Sequence, residues 1–202
     1  ACLGIPGLTA AQLICMQSNI EEKTIFISGG NGAVGHLAIQ LAKYRGAQII
    51  ATARAGKVEK LRDLGADFVL DYADPELDKK VLEFAPNGVD YAVEVEFGEN
   101  INIIPKIMRA MGTVSIYGSG KNMNPQFPFG EYLFKSLTLN IILVYLMPTP
   151  LRKRLIEIIH DAYIQHALCP SIDSIYELGD CAKAHEQVMK PGRNGTVLLK
   201  ID

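Results

Sequence analysis

Length, composition and charge describe an ordinary globular protein. The chain has 202 residues, 49% of them hydrophobic and 21% charged, and its net charge of −2 favours neither a nucleic acid nor a membrane as partner. Its four cysteines form no CxxC pair, which indicates reduced thiols and a cytoplasmic location. Since the sequence opens at Ala1, without a start methionine, we expect a fragment or a single domain of a longer protein.

Strands and helices alternate along the first half of the chain. Runs of β-branched and apolar residues predict strands at 24–28, 48–53, 68–72, 91–96 and 112–118. Helical spacing predicts helices over 34–47, 57–66, 76–85 and 100–110. This alternation is typical of an α/β protein with a doubly wound parallel sheet, the Rossmann fold.

The second half of the chain departs from this alternation. The Gly, Pro and Asn content of residues 119–130 predicts a loop, with no helix between the fifth and sixth strands. A sixth, apolar strand is predicted within 137–147 and a long helix over about 150–166. The longest apolar run, 141–147, is too short to span a bilayer. The tail from 168 predicts a strand, a helix, a turn and a closing strand.

The segment SGGNGAVGHLA (28–38) carries a G-x-G-x-x-G motif between the first strand and the first helix. Gly30 is expected to permit the tight turn, Gly32 to let the backbone approach a pyrophosphate, and Gly35 to let the helix pack against the strand. The N–H groups at the helix start would face the phosphates. Because the glycine spacing fits neither a short-chain dehydrogenase nor a methyltransferase nor a P-loop, we expect a dinucleotide.

The end of the second strand indicates which dinucleotide. NAD-binding proteins place an acidic residue there, about 20 residues after the turn, to bind the ribose hydroxyls. Here that position is Thr52, and Arg54 and Lys57 follow it. Two cations without a carboxylate suit a 2′-phosphate, so we predict NADP(H). The alternative interpretation of Arg54 and Lys57 is a pair of solvated loop cations.

Together these motifs resemble the medium-chain dehydrogenase/reductase family. GIPGLTA (4–10), the glycine turn, LGADFVLDY (64–72) and KAHEQVMKPGRNGTVLLK (183–200) are most similar to its zinc-free quinone oxidoreductase, or zeta-crystallin-like, branch. The resemblance implies a Rossmann domain over 1–167. It also implies that the C-terminal strands, in 168–202, return to a GroES-like substrate domain. Most of that domain, roughly 100–150 residues by typical domain size, is then missing from this chain.

The resemblance assigns cofactor-binding residues position by position. Thr9 resembles the threonine near the nicotinamide. Arg54, Lys57 and Tyr72 match the positions that hold the adenosine 2′-phosphate, although Tyr72 could equally be a surface tyrosine. The pyrophosphate turn corresponds to Asn31, Gly32, Ala33 and Val34. The loops after the fourth and fifth strands, which line the adenosine and nicotinamide ends, correspond to Glu96, Phe97, Gly98, Tyr117, Gly118 and Ser119.

Two positions depart from the family pattern. Zinc alcohol dehydrogenases have a cysteine ligand where this chain has Ile5, and an isoleucine cannot bind a metal, so we expect no metal site. The family often has a lysine where this chain has Thr196, which puts a phosphate contact from the tail in doubt. Lys190 or Arg193 could replace it.

Other polar side chains have simpler interpretations. His160 and His166 are six residues apart on a predicted helix, about 240° around its axis, so with Cys169 they are interpreted as surface helix residues rather than metal ligands. Glu94 and Glu96 share one face of the fourth strand, where an acid pair is conceivable but solvation at the strand end is simpler. No nucleophile or general base stands out, so the catalytic residues are unassigned.

The sequence therefore predicts the NADPH-binding portion of a zinc-independent oxidoreductase. It would hold the nicotinamide for hydride transfer to a quinone or an α,β-unsaturated carbonyl, with solvent or the missing domain as the proton source. The alternatives are a dinucleotide-binding module without activity of its own and an alcohol dehydrogenase-type oxidoreductase, which Ile5 disfavours. As in the family's dimers, the apolar strand within 137–147 is expected to pair with its copy in a homodimer.

Overall fold

The computed structural model describes residues 2–17, 19–54, 56–190 and 195–201. The strands within these residues are β1 (Thr24–Ile27), β2 (Gln48–Ala53), β3 (Phe68–Asp71), β4 (Val89–Glu94), β5 (Met108–Ile116), β6 (Thr138–Ile141), β7 (Ile172–Glu177) and β8 (Thr196–Lys200). The α-helices are α1 (Ile5–Cys15), α2 (Ala33–Tyr44), α3 (Val58–Asp63), α4 (Leu77–Phe84), α5 (Phe97–Asn100), α6 (Ile104–Ile107), α7 (Phe129–Phe134), α8 (Thr149–Ile164) and α9 (Cys181–Met189).

Strands β1 to β6 form one parallel sheet. Their spatial order is β3-β2-β1-β4-β5-β6, and β1 pairs with both β2 and β4. From β1 the chain adds β2 and β3 on one side and then β4, β5 and β6 on the other. This is the strand order of a Rossmann domain, in which ligands bind at the carboxyl end of the sheet where the winding reverses. The predicted fold class is confirmed.

Helices cover both faces of the sheet and bury an apolar cluster on each. Side chains alternate between the two faces along a strand, so Ile25 and Ile27 point to one face and Phe26 to the other. The first face packs against α1, α2 and α8, and the second against α4, α6 and α7. The helices on each face are held to the sheet by burial of the apolar side chains that they present to it.

Helix α1, for which the sequence pattern made no prediction, packs against α2 and α8. Two side chains satisfy carbonyl groups at its C-terminal end, which have no partner within a helix. The buried Tyr91 hydroxyl donates a hydrogen bond to the Leu13 carbonyl at 2.6 Å. The Arg45 guanidinium donates to the carbonyls of Ile14 at 2.7 Å and Gln17 at 3.2 Å. These bonds tie α1 to the Rossmann sheet and to α2.

Replacing Tyr91 by Phe is expected to lower the free energy of unfolding by about 1–2 kcal/mol, since it leaves the Leu13 carbonyl buried without its donor. Urea denaturation measures this loss. Tyr44→Phe is the matched control, because the Tyr44 hydroxyl bonds to the Gln165 amide at 2.7 Å on an exposed surface, where water can replace it. Equal losses in the two variants would contradict the anchoring role of Tyr91.

The predicted elements between β4 and β5 are partly wrong. The helix predicted over 100–110 is split into α5 and α6, and β5 begins at Met108 rather than at 112. Pro105 lies in the first turn of α6, where a proline starts a helix but cannot continue one. Met108 then takes an extended conformation and pairs with Val89 of β4. Pairing with the neighbouring strand therefore lengthens β5.

The predictions between β5 and β6 are also wrong in two respects. A helix, α7, begins at the end of the predicted loop, held by the buried Tyr132, whose hydroxyl donates to the Ile101 carbonyl at 2.9 Å. The strand predicted within 137–147 is only the short β6. Its last backbone bond runs from Ile142 to Ile116, where β5 ends, and no strand remains beyond that point to pair with. The chain continues as a 3-10 turn over Val144–Leu146.

The tail beyond α8 forms a separate two-stranded parallel sheet of β7 and β8, with α9 packed against both. The predicted order of strand, helix and strand is confirmed. Gln40 of α2 holds the start of this tail, because its side chain accepts a hydrogen bond from the Cys169 N–H at 2.7 Å and donates to the Cys169 carbonyl at 3.1 Å. Across the described ranges, no helix combines the length and apolar character needed to cross a membrane.

Candidate cofactor site

The glycine turn leads from β1 into α2 at the carboxyl end of the sheet. The tight turn runs from Gly29 to Gly32, because the Gly32 N–H donates to the Gly29 carbonyl at 2.9 Å, and Gly30 lies inside it as predicted. Gly29 rather than Gly30 has a left-handed φ, of +67°. Both glycines are tied to β2, because their N–H groups donate to the hydroxyl and the carbonyl of Thr52 at 3.1 and 2.8 Å. Gly30 lacks a side chain for packing reasons: a Cβ there would lie 2.6 Å from Leu61 Cδ1.

Gly35 allows α2 to approach the turn. A Cβ at this position would lie 2.4 Å from the Gly29 carbonyl oxygen and 2.9 Å from the Gly30 Cα, which confirms the close approach expected of Gly35. The His36 N–H makes a bond to the Gly32 carbonyl at 2.9 Å as α2 begins. The N–H groups of the first helical residues before His36 have no carbonyl within the helix to bind. Such N–H groups, at the positive end of the helix dipole, suit a phosphate.

A cleft of about 210 Å³ opens beside the turn, at the ends of β1 and β2. It is lined by Gly29, Asn31, Gly32, Thr52, Ala53, Arg54, Lys57 and Tyr72. The structure thus brings together the predicted turn and the predicted 2′-phosphate residues. Arg54 Nε donates a hydrogen bond to the Tyr72 hydroxyl at 3.3 Å.

The charge of this cleft is positive. Arg54 is exposed, and the Tyr72 hydroxyl, followed more weakly by the Asp71 carboxylate, raises the pKa of its guanidinium. Lys57 lies at the start of α3, half-buried in the same lining. Thr52, at the position of the ribose-binding acid, is 2% exposed and its hydroxyl already bonds to Gly29. The cleft therefore offers cations to a phosphate where an NAD-binding protein would offer a carboxylate.

The other predicted turn residues contribute differently. Both amide atoms of the Asn31 side chain are buried and have no hydrogen-bond partner among the described residues, so they are available to a ligand. Ala33 begins α2, and the Val34 side chain packs against the apolar core, so Val34 can offer only its backbone. Thr9 lies buried on α1, where its hydroxyl donates to the Ile5 carbonyl at 2.8 Å.

The loops after β4 and β5 are bound to each other, as expected for two strands that end at the same edge. The Phe97 N–H donates to the Gly118 carbonyl at 3.2 Å and the Gly98 N–H to the Ser119 hydroxyl at 2.8 Å. A Cβ at Gly118 would lie 2.6 Å from the Val95 carbonyl oxygen. Tyr117, directly after β5, is half-buried. These residues form a second group, on the β4–β5 side of the glycine turn.

Sequence reasoning misjudged or missed three buried polar residues. Glu94 is 0% exposed, so the interpretation of strand-end solvation is wrong for it. His36 is 6% exposed, and burial lowers the pKa of its imidazole while Nε2 lies 2.9 Å from the Cys169 carbonyl oxygen. Gln40 holds the same carbonyl. A helical spacing shows that His36 and Gln40 share a face, but nothing local shows that a distant segment covers that face.

The remaining predicted positions lie away from the cleft. His160 is exposed on α8, whereas His166 lies beyond its end with φ 56° and Cys169 further on, so the last two are not helix residues. Within 2–17, 19–54, 56–190 and 195–201, no cluster of three His, Cys, Asp or Glu side chains could hold a metal ion. Thr196 begins β8 and Lys190 is exposed after α9. Arg193 is outside the described residues.

Comparison with known proteins agrees with this geometry. The model of the zinc-binding dehydrogenase family matches residues 33–161, more than half of the chain. The chain belongs to the medium-chain dehydrogenase/reductase family. The match begins at the first residue of α2 and ends within α8, so it covers most of the Rossmann sheet. The family's description names zinc, whereas the position of the expected cysteine ligand is Ile5 in this chain.

Three curated relatives within the family are reductases or oxidoreductases by name. Prostaglandin reductase 1 of Bos taurus is 30% identical over 71% of this chain and 46% of its own length. The NADP-dependent oxidoreductase RED1 of Cochliobolus heterostrophus is 32% identical over 67% of this chain and 40% of its own. The chloroplast envelope quinone oxidoreductase homolog of Arabidopsis thaliana is 32% identical over 62% and 44%. This chain therefore spans less than half of these relatives.

The fold is shared with a solved structure of another protein. The 2-haloacrylate reductase structure superposes with a TM-score of 0.91 over 100% of this chain and 65% of that one, at 21% identity. At that identity the likeness shows the fold alone. It extends over the described tail as well as the Rossmann sheet.

Proposed function

We propose that this chain is the NADPH-binding portion of an oxidoreductase that reduces a quinone or an α,β-unsaturated carbonyl. The observation that carries the proposal is the cleft beside the glycine turn, where Arg54, Lys57 and Tyr72 converge while Thr52 replaces the ribose-binding acid. A 2′-phosphate carries negative charge that a carboxylate at position 52 would repel and a guanidinium attracts. The NADP-dependent relative named above supports the same choice of cofactor.

The residues of this chain bind and orient the cofactor. When bound there, NADPH would supply a hydride for the reduction. The N–H groups at the start of α2 would bind the pyrophosphate, and Arg54 and Lys57 the 2′-phosphate. The loops after β4 and β5, with Phe97, Tyr117 and Gly118, would line the remainder of the dinucleotide. No described side chain is assigned as the proton donor, which leaves solvent or further parts of the protein for that step.

Four further features belong to the same proposal. The enzyme is zinc-independent, because Ile5 stands at the place of the cysteine ligand. Residues 168–202 belong with a substrate domain, because β7 and β8 form a two-stranded sheet with exposed apolar side chains such as Ile175.

The outer edge of β6, with Ile141 77% exposed, pairs with its copy in a homodimer. The protein is cytoplasmic, as its unpaired cysteines indicate.

A second candidate is a dinucleotide-binding module without activity of its own. One observation favours it: none of the described side chains is assigned as a proton donor. A module of this kind would bind NADPH through the same cleft. The two candidates differ only in turnover.

Calorimetric titration of the chain with NADPH and with NADH tests the proposal. We expect NADPH to bind at least tenfold more tightly than NADH, since only NADPH carries the phosphate that Arg54 and Lys57 would bind. Equal affinities would contradict the choice of cofactor. Oxidation of NADPH by an added quinone, followed at the absorbance of the reduced nicotinamide, then separates the enzyme from the module, which binds without turnover.

A further inference from the structure

Glu94 is a buried acid at the end of β4 with only one of its two carboxyl oxygens in use. Its Oε1 accepts hydrogen bonds from the Glu96 N–H at 2.6 Å and from the Asn100 side-chain amide at 3.0 Å. Its Oε2 is buried and has no hydrogen-bond partner in the described part of the chain. Since a buried unpaired oxygen is costly in a native structure, its presence calls for a functional explanation.

The hydrogen bonds of Glu94 connect three segments of the cofactor site. The Glu96 N–H belongs to the loop after β4, and Asn100 ends α5. The Asn100 amide also reaches the Ser28 hydroxyl at 3.4 Å, directly before the left-handed Gly29. Glu94 therefore lies at the centre of a network that joins the loop after β4 to the end of β1, where the glycine turn begins.

The backbone contacts between β1 and β4 make this network close to the phosphate turn. The Ser28 N–H donates to the Val93 carbonyl at 2.9 Å. A Cβ at Gly29 would lie 2.9 Å from Val95 Cγ1, so the residue after Glu94 already packs against the turn. A shift of β4 or of its following loop would displace the turn directly.

The surroundings of Glu94 favour its uncharged form. Burial raises the pKa of its carboxyl group and outweighs the polar groups that lower it, which belong to Glu96, Asn100, Ser28 and Val95. The titratable side chains that respond to its charge are Tyr117, after β5, and Tyr132, on α7. Burial first, and then Glu94, raise the pKa of both phenols, so they stay uncharged as well. The carboxylate of Glu96 is engaged with the Lys121 N–H at 2.7 Å.

We propose that Glu94 is a positioning residue of the cofactor site, whose carboxyl group holds the loop after β4 and the glycine turn in the arrangement that receives NADPH. The inference rests on the proposed function, because it takes NADPH as the ligand. Glu94 acts through the backbone that it holds and not by touching the cofactor. Ionisation of Glu94 would place a negative charge close to the glycine turn, which would bind the phosphates of NADPH. We therefore expect the affinity for NADPH to fall when Glu94 loses its proton.

The sign of the pH effect on stability follows from the same pKa. The folded chain holds the Glu94 proton at pH values where an unfolded glutamic acid, with a pKa of about 4.3, has lost it. The folded state then binds more protons than the unfolded one, so stability from this group falls as pH rises through the window above about 4.3. Glu94→Gln, which cannot ionise, lacks this fall. Its melting temperature relative to the wild type is expected to rise across that window.

The binding experiment compares NADPH affinity in four variants by calorimetry at pH 6 and pH 8.5. Glu94→Gln keeps the acceptor oxygen and cannot ionise, so we expect it to bind within twofold of the wild type at pH 6 and to lose less affinity than the wild type as the pH rises. Glu94→Ala and Asn100→Ala break the network and are expected to lose about tenfold in affinity at both pH values. Glu99→Ala, on the exposed side of α5, is the matched control and should bind as the wild type does.

Three outcomes decide the question. The pattern of affinities just described supports the proposal. If Glu94→Ala does not fold, the loss of affinity in Asn100→Ala is the test of the network. A wild type that binds NADPH together with an Asn100→Ala variant that matches it at both pH values would overturn the role of Glu94 only. A wild type that does not bind NADPH would overturn the proposed function, and this inference with it. Melting curves of Glu94→Gln report on the buried acid in either case.

Discussion

Gly35→Ala is expected to lower the free energy of unfolding by about 3 kcal/mol and to abolish detectable NADPH binding. The added Cβ would lie 2.4 Å from the Gly29 carbonyl oxygen and 2.9 Å from the Gly29 carbonyl carbon. Both are backbone atoms, which cannot rotate away as a flexible side chain can. Either α2 or the turn must move, and an insertion of this kind into a packed region costs about 1–3 kcal/mol or more. Urea denaturation and calorimetric titration measure the two effects.

Gly179→Ala is the control for this substitution. A Cβ at Gly179 meets no atom within 4 Å, and Gly179 is not among the glycines with positive φ. The same chemical change there should leave both stability and NADPH binding near the wild-type values. If Gly35→Ala behaved like Gly179→Ala, the close approach of α2 to the turn would not be a requirement of this fold.

Arg54→Ala is expected to weaken NADPH binding about 10- to 100-fold and to leave NADH binding unchanged. The loss corresponds to about 1.5–3 kcal/mol for a hydrogen bond to a charged group. Arg54 is exposed in the cleft and hydrogen-bonded only weakly to Tyr72 at 3.3 Å, so its removal leaves no buried group unsatisfied. The measurement is the ratio of the two dissociation constants, in which any general effect on the fold cancels.

Arg62→Ala provides the comparison for Arg54. Arg62 lies on the nearby α3, outside the cleft lining, and pairs with Glu59 at 2.8 Å on an exposed surface. Removing it deletes the same type of charge at a short distance from the site, so a long-range electrostatic effect would appear in both variants. A ratio of NADPH to NADH affinity that Arg54→Ala leaves unchanged would show that Arg54 is a solvated cation, the alternative interpretation of its sequence position.

The elements near the glycine turn were the most predictable part of the molecule. The β2 bounds agree with the prediction, and those of β1 and α2 differ by a few residues at most, because helical periodicity and glycine stops are local signals. The elements between β4 and β6 were the least predictable. There the length of each strand depends on its neighbour: Met108 extends β5 by pairing with Val89, and β6 stops where β5 stops.

In the candidate site, too, the positions of residues were predictable and their hydrogen bonds were not. That Arg54 and Lys57 lie beside the turn could be predicted from residue type and spacing, because the carboxyl ends of β1 and β2 lie side by side in a doubly wound sheet. Their hydrogen-bonding could not be assigned. A spacing motif shows neither that Gly29 takes the left-handed conformation nor that Thr52 of β2 accepts hydrogen bonds from the N–H groups of Gly29 and Gly30.

The amino-acid sequence by itself determined the α/β class, the position of the glycine turn and the family, since each depends on short stretches of local sequence. Only the tertiary structure decided that Glu94 is buried, and that His36 meets the Cys169 carbonyl 133 positions away. The physical reason is that burial, pKa and hydrogen-bond partners depend on which segments pack together. A carboxyl group at a strand end is solvated or neutral according to its surroundings, and Glu94 is buried with a hydrogen bond from Asn100 of another element.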